Sequence, residues 1–78
     1  LTHELIGTIC RDLDIQVQKI VVNELKDMTF YARLVLTQNE NTFDVDSRPS
    51  DAIALAMQMN APIYVDEDVM ARASQDFE

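Results

Sequence analysis

Over the first thirteen residues the apolar positions recur at helical spacing: Leu5, Ile6, Ile9, Cys10 and Leu13 fall on one stripe, the signature of an amphipathic helix. Thr2 is suited to cap it, and Glu4 complements the positive end of its dipole. Gly7, the only glycine in the chain, sits mid-helix at a cost of about 1 kcal/mol relative to alanine. The pattern then turns β-branched. Ile15 and Val17 alternate in one phase, Ile20 and Val22 in the other, so the slip near Gln18 and Lys19 predicts a loop entering a strand, or a bulge. The strand proper is read as residues 18–25, with a turn at Lys26 and Asp27. From Met28 to Gln38 the alternation is clean: Phe30, Ala32, Leu34 and Leu36 on one face, Tyr31, Arg33, Val35 and Thr37 on the other. Asn39, Glu40 and Asn41 make the next turn, where asparagine tolerates positive φ without glycine. Thr42 to Asp46 is a third strand, with Phe43 and Val45 inward and Asp44 and Asp46 outward.

Pro49 fits the first position of a second helix, with Ser50 and Asp51 in its first turn. Ala52, Ile53, Leu55, Ala56, Met57 and Met59 cover most of its circumference, which predicts burial on more than one side and leaves Asp51, Ala54 and Gln58 as its wetter line. Asn60 ends it. Pro62 precedes a short strand, Ile63 to Val65, and Asp66 caps a last helix running through Val69, Met70 and Ala73. The expected fold class is α+β: an antiparallel β-meander with flanking helices, in the order α-β-β-β-α-β-α.

Seventy-eight residues suit one domain, 1–78, that buries only about 60% of its unfolded surface. The 47% apolar content supports a core and argues against disorder. No run approaches the roughly 20 apolar residues of a membrane span. A single cysteine cannot make an internal disulfide, so a cytoplasmic protein is expected. Six basic residues against fourteen acidic give a net charge of −8, a field that repels polyanions unless a local basic patch, a bound cation or a partner reverses it. An apolar helix on a small sheet, with Tyr31 and Val35 adding apolar area on the far face, predicts a homo-oligomer, with a dimer as the default symmetry.

Candidate chemistry concentrates in D-V-D-S-R-P-S-D, Asp44 to Asp51. Alternate strand residues share a face, placing Asp44 and Asp46 about 7 Å apart, and Asp51 follows from the first helical turn. Three carboxylates at a strand-to-helix junction could hold Mg²⁺ or Mn²⁺, Arg48 could clamp a phosphate and Ser50 add a donor. Equally, Asp51 could serve only the helix dipole, Arg48 only pair with Asp46, and Asp44 only solvate an edge. His3 could be a general base or metal ligand near neutral pH, or a first-turn residue that packs. Cys10 on the apolar stripe reads as core, and Met57, Met59 and Met70 as packing or an oligomer surface.

These residues carry a resemblance. L-T-H-E-L at Leu1 to Leu5, T-F-Y-A-R-L at Thr29 to Leu34, D-S-R-P-S-D-A-I-A-L-A at Asp46 to Ala56 and A-P-I-Y-V at Ala61 to Val65 resemble the bifunctional nuclease family in order and spacing. The resemblance implies a chain forming the C-terminal portion of such a domain, with further strands before Leu1. Two features depart from the family pattern, Asp27-Met28 in place of Asp-Gly in the first hairpin and Gly7 in the first helix, and neither touches the polar cluster. The resemblance further implies hydrolysis of DNA and RNA, plausibly assisted by Mg²⁺ or Mn²⁺. On the matched positions it assigns His3 as base or ligand, Asp46 and Asp51 as metal ligands, Arg48 as phosphate clamp and Ser50 as auxiliary donor. The alternative is a non-catalytic interaction or regulatory module in which the same segment pins the third strand to the second helix.

Overall fold

A computed structural model describes residues 2–24 and 29–76; the side chains of His3, Glu24 and residues 72–76 lie outside the described set, as does the expected turn at Lys26 and Asp27. The elements are α1 (Thr2–Asp12), β1 (Gln16–Glu24), β2 (Phe30–Gln38), β3 (Asn41–Ser47), α2 (Pro49–Met59), β4 (Ile63–Val65) and α3 (Glu67–Asp76). The order matches the sequence reading. The four strands form one sheet in the order β3-β2-β1-β4. β1, β2 and β3 are the antiparallel meander, and β4 adds to β1 in parallel. The connection from β1 to β4 is too long for a hairpin and runs through α2, as parallel pairing requires.

The phase slip in β1 is a bulge. Val17 pairs with Leu36 and Lys19 with Val35, leaving Gln18 as the extra residue. That insertion returns Val17, Ile20 and Val22 to a single face, where they join Ala32 and Leu34 of β2 and Ala52, Leu55 and Ala56 of α2 in the core. Ile20 and Leu55 are the largest fully buried side chains, each contributing about 1.5–3 kcal/mol of burial. Asn39 turns the β2–β3 hairpin with φ 56°, and Asn60 ends α2 with φ 55° while its N–H reaches the Ala56 carbonyl. Asp66 caps α3, its Oδ1 accepting from the Asp68 N–H at 3.0 Å. No helix among the described residues is long and apolar enough to cross a membrane.

Three packing expectations need correction. In α1 only Gly7 and Cys10 are buried among the described side chains, whereas Leu5, Ile6, Ile9 and Leu13 are exposed. At 3.6 residues per turn the apolar stripe lies about 100° round the helix from its contact face. Close approach decides this: the Gln58 side chain occupies the space a Cβ on Gly7 would fill, so α2 docks on the smallest residue of α1. In α2 the outer line is Ile53 and Met57, while Ala54 and Gln58 are half-buried. Phe43 and Val45 are expected inward, and Phe30 shares a face with Ala32 and Leu34; all three are exposed. α2 packs over β1 and β2, so the inner face of the edge strand β3 stays uncovered by it.

Candidate functional site

The polar cluster sits where the edge strand passes into α2. β3 stops at Ser47 because Arg48 and Pro49 redirect the chain. Arg48 is extended at φ −76° and ψ 147°, the conformation that a following proline imposes, and Pro49 supplies the helix's first position, where its missing N–H costs nothing. The Arg48 carbonyl accepts from the Ala52 N–H at 3.1 Å and from the Ser47 hydroxyl at 3.1 Å. The turn is therefore closed by backbone and hydroxyl groups, and its charged side chains are left to the surface.

Those side chains pair differently from the bland expectation. Arg48 Nε lies 3.7 Å from Asp51 Oδ2, not on Asp46, and its side chain is 79% exposed. An exposed pair at this distance contributes at most about 1 kcal/mol and is easily exchanged for another anion. Asp46 stands opposite Arg33 of β2 in the ladder, and Asp44 opposite Val35, which confirms that both aspartates project to the face turned away from α2. Arg33 reaches diagonally to Asp44, Nη1 to Oδ2 at 3.7 Å.

Between α1, α2 and the end of β3 lies a cleft of about 180 Å³ whose walls include Thr2, Ile6, Val45, Asp46, Ser47, Asp51 and Leu55. Two predicted site residues, Asp46 and Asp51, thus border one cavity. Asp51 borders it from the first turn of α2, while Asp46 belongs to its wall at the edge strand, on a position whose side chain the pleat turns to the opposite face. Arg48 and Ser50 are exposed beside this cleft in sequence but do not line it. His3 follows Thr2 in α1, and its side chain lies outside the described residues. Sequence reading missed Thr2 and Ser47 as wall residues and Arg33 as the ladder partner of Asp46. An arginine inside an otherwise apolar β2 was the available signal for the last.

Among the described residues no group of three or more His, Cys, Asp or Glu side chains is placed to hold a metal ion. An all-protein cage is therefore not built from them. Carboxylates with water and substrate oxygens are what Mg²⁺ and Mn²⁺ prefer, and Asp46 and Asp51 both border this cleft, Asp46 from a strand position that faces away from α2. A wider cleft of about 410 Å³ opens beside Cys10, Arg11, Asp14 and Met59. Burial pushes the Cys10 thiol above its ordinary pKa, the opposite of what a nucleophilic cysteine needs.

Over residues 1–78 the chain matches the family described as the bifunctional nuclease domain. Two curated relatives, the proteins MT1877 and Rv1829 from two strains of Mycobacterium tuberculosis, are both named as uncharacterized. Each is 38% identical over 73 residues, covering 94% of this chain and 43% of the relative. The chain spans less than half the length of those relatives.

Proposed function

The chain belongs to the bifunctional nuclease domain family, and from that premise we propose that it hydrolyses phosphodiester bonds of DNA and RNA with the help of a divalent cation. The observation that carries this reading is the shared cleft bordered by Asp46 and Asp51. Asp46 and Asp51 would hold Mg²⁺ or Mn²⁺, which when bound offsets phosphate charge and acidifies a water molecule. Arg48, held among the described residues by an exposed contact to Asp51, swings to a phosphate and offers its planar fork to two oxygens. Ser50 adds a hydroxyl donor from the same helical turn. His3 would take the proton from the attacking water as general base.

The test is hydrolysis of single-stranded DNA and RNA by highly purified protein with Mg²⁺, with Mn²⁺ and with chelator, beside Asp46→Asn and Asp51→Asn. Each substitution should cost at least the roughly 10-fold that even outer-shell partners of a metal cost. Undiminished activity in both variants would remove the site.

A second reading has its own observation. The cleft walls are largely apolar, and the net charge is −8, which suits a protein-binding or regulatory module in which the junction is structural. Under that reading the two substitutions lower the melting temperature and no purified preparation cleaves nucleic acid. We also propose self-association, because Leu5 and Ile9 on α1 and Leu13 just beyond its end are exposed; sedimentation at tens of micromolar that returns a monomer would end that proposal.

A further inference from the structure

The pleat sorts the sheet into two faces of different chemistry. One face meets α2 and holds the core. On the other, the ladder registers align Asp46, Arg33, Val21 and Tyr64 in one row across β3, β2, β1 and β4, with Lys19 and Tyr31 in the flanking rows. Both tyrosines are exposed, Tyr64 by 55%, although large rings on a sheet are ordinarily the side chains it covers. The Lys19 ammonium lies 5.8 Å from the centroid of the Tyr64 ring, within cation–π range. The Arg33 side chain is half-exposed, and among the described residues its ion pair is the 3.7 Å contact to Asp44.

Two open aromatic rings, each with a cation on the same face, are the elements of a platform for unpaired bases. Bases stack on exposed rings for about 1–3 kcal/mol each, and cations between the rings track the phosphates. A duplex hides its base faces and cannot use them. We infer that the sheet face turned away from α2 binds single-stranded nucleic acid, with Tyr31 and Tyr64 stacking bases and Lys19 and Arg33 contacting the backbone. The inference rests on the nuclease reading for its direction. The row that begins at Tyr64 ends at Asp46, about 14 Å away at the usual spacing between strands, so a strand laid across the sheet is led to the rim of the cleft.

The acidity of the chain shapes the expectation. With Lys19 and Arg33 the cations on this face among the described residues, and Asp44 and Asp46 at its edge, stacking supplies most of the affinity. The slope of log K against log salt for a single strand should then be shallow, near −1.4 for two cations.

The experiment measures binding of a fluorescein-labelled 12-nucleotide single strand by anisotropy, in chelator, to the full chain. Tyr64→Ala and Tyr31→Ala should each weaken binding roughly 5- to 150-fold, Tyr64→Phe should retain it, and a duplex of the same sequence should bind at least about tenfold more weakly, since its bases are already stacked. The wild-type protein gives a second readout that needs no variant. It has no tryptophan and only two tyrosines, Tyr31 and Tyr64, so its whole intrinsic emission should be quenched by the oligonucleotide after correction for absorbance. Unquenched emission at saturation, alanine variants that bind like wild type, or duplex binding as tight as single-strand binding would overturn the platform. Hydrolysis of bis(p-nitrophenyl) phosphate separates the two readings. If that small diester is cleaved and the oligonucleotide is not bound, the platform falls and the nuclease stands. If the oligonucleotide binds through the tyrosines and neither substrate is cleaved, the platform stands and the nuclease reading falls.

Discussion

Helices α1 and α2 are the same length and pack side by side, yet they use their apolar residues in opposite ways. α1 (Thr2–Asp12) segregates them onto one stripe and then buries only Cys10 of it, leaving Leu5, Ile6 and Ile9 in water, with Leu5 at 61% exposure. α2 (Pro49–Met59) spreads apolar residues round its whole circumference and buries Ala52, Leu55 and Ala56. What distinguishes the buried faces is small residues more than hydrophobic segregation. Gly7 receives Gln58, and Ala52 and Ala56 flank Leu55 against the sheet. Backbones that approach closely gain dispersion contacts over their whole length, and a stripe of long side chains holds a partner off. An amphipathic pattern therefore identified α1 as a helix without identifying which side of it touches the domain.

The sharpest test of this contrast pairs two leucines. Leu55→Ala should destabilise the domain by about 2–5 kcal/mol, because it opens a cavity among Ile20, Ala32 and Leu34. Leu5→Ala, at an exposed position, should cost under about 1 kcal/mol. Chemical denaturation of both variants checks the difference. If Leu5→Ala proves as costly as Leu55→Ala, and the cost grows with protein concentration, the α1 stripe is covered by a second copy, and the two helices are alike after all.

Much of the fold was legible because local rules and tertiary packing agree there. The alternation in β2, the slip near Gln18, which resolves as the bulge of the two alternatives, Pro49 opening α2, the turn at Asn39 and the end of α2 at Asn60 each appear in the structure as read. What was not legible depends on which element lies beside which. Nothing in Ile63–Val65 says that its partner is β1 and not β3, and nothing in Phe43 or Val45 says that α2 stops short of them. The site divides the same way. The junction is visible in D-V-D-S-R-P-S-D, whereas the pairing of Arg48 with Asp51, the place of Arg33 across from Asp46 and the shared cleft required coordinates.

The buried side of α1 offers a smaller effect with a clear sign. The folded state holds Cys10 as a neutral thiol, its pKa raised by burial. The stabilisation this implies is complete below the unfolded thiol's pKa, near 8.5, and is lost as pH rises toward the higher folded value. Native protein should thus resist alkylation by iodoacetamide at pH 8 and react promptly in denaturant. Cys10→Ala should flatten the fall in stability above about pH 8.5. Prompt labelling of native protein would mean that the contact face of α1 opens readily.

The smallest effect is expected at the contact itself. Gly7→Ala displaces the Gln58 amide, a flexible end whose Nε2 makes a 3.5 Å hydrogen bond to the Glu4 carbonyl and whose Oε1 is buried with no partner among the described residues. Releasing that oxygen to water and gaining about 1 kcal/mol of helix propensity should leave the variant equal to wild type or slightly more stable by thermal denaturation. A loss beyond about 2 kcal/mol, the range of a buried polar group deprived of its partner, would show that Gln58 cannot leave and that it sets the spacing of the two helices.

The parallel partnership of β4 with β1 imposes an order of events on a chain being synthesised. β1, β2 and β3 meet through neighbouring segments, and hairpins of that kind form in about 1–10 μs once both strands are available. Ile63–Val65, which pairs with β1 at Ile20, Val21 and Val22, leaves the ribosome last of these four strands. At about 5–20 residues per second the interval is on the order of a few seconds, during which β1 lacks its β4 partner and the N–H and C=O groups that β4 will pair are open to any extended segment nearby.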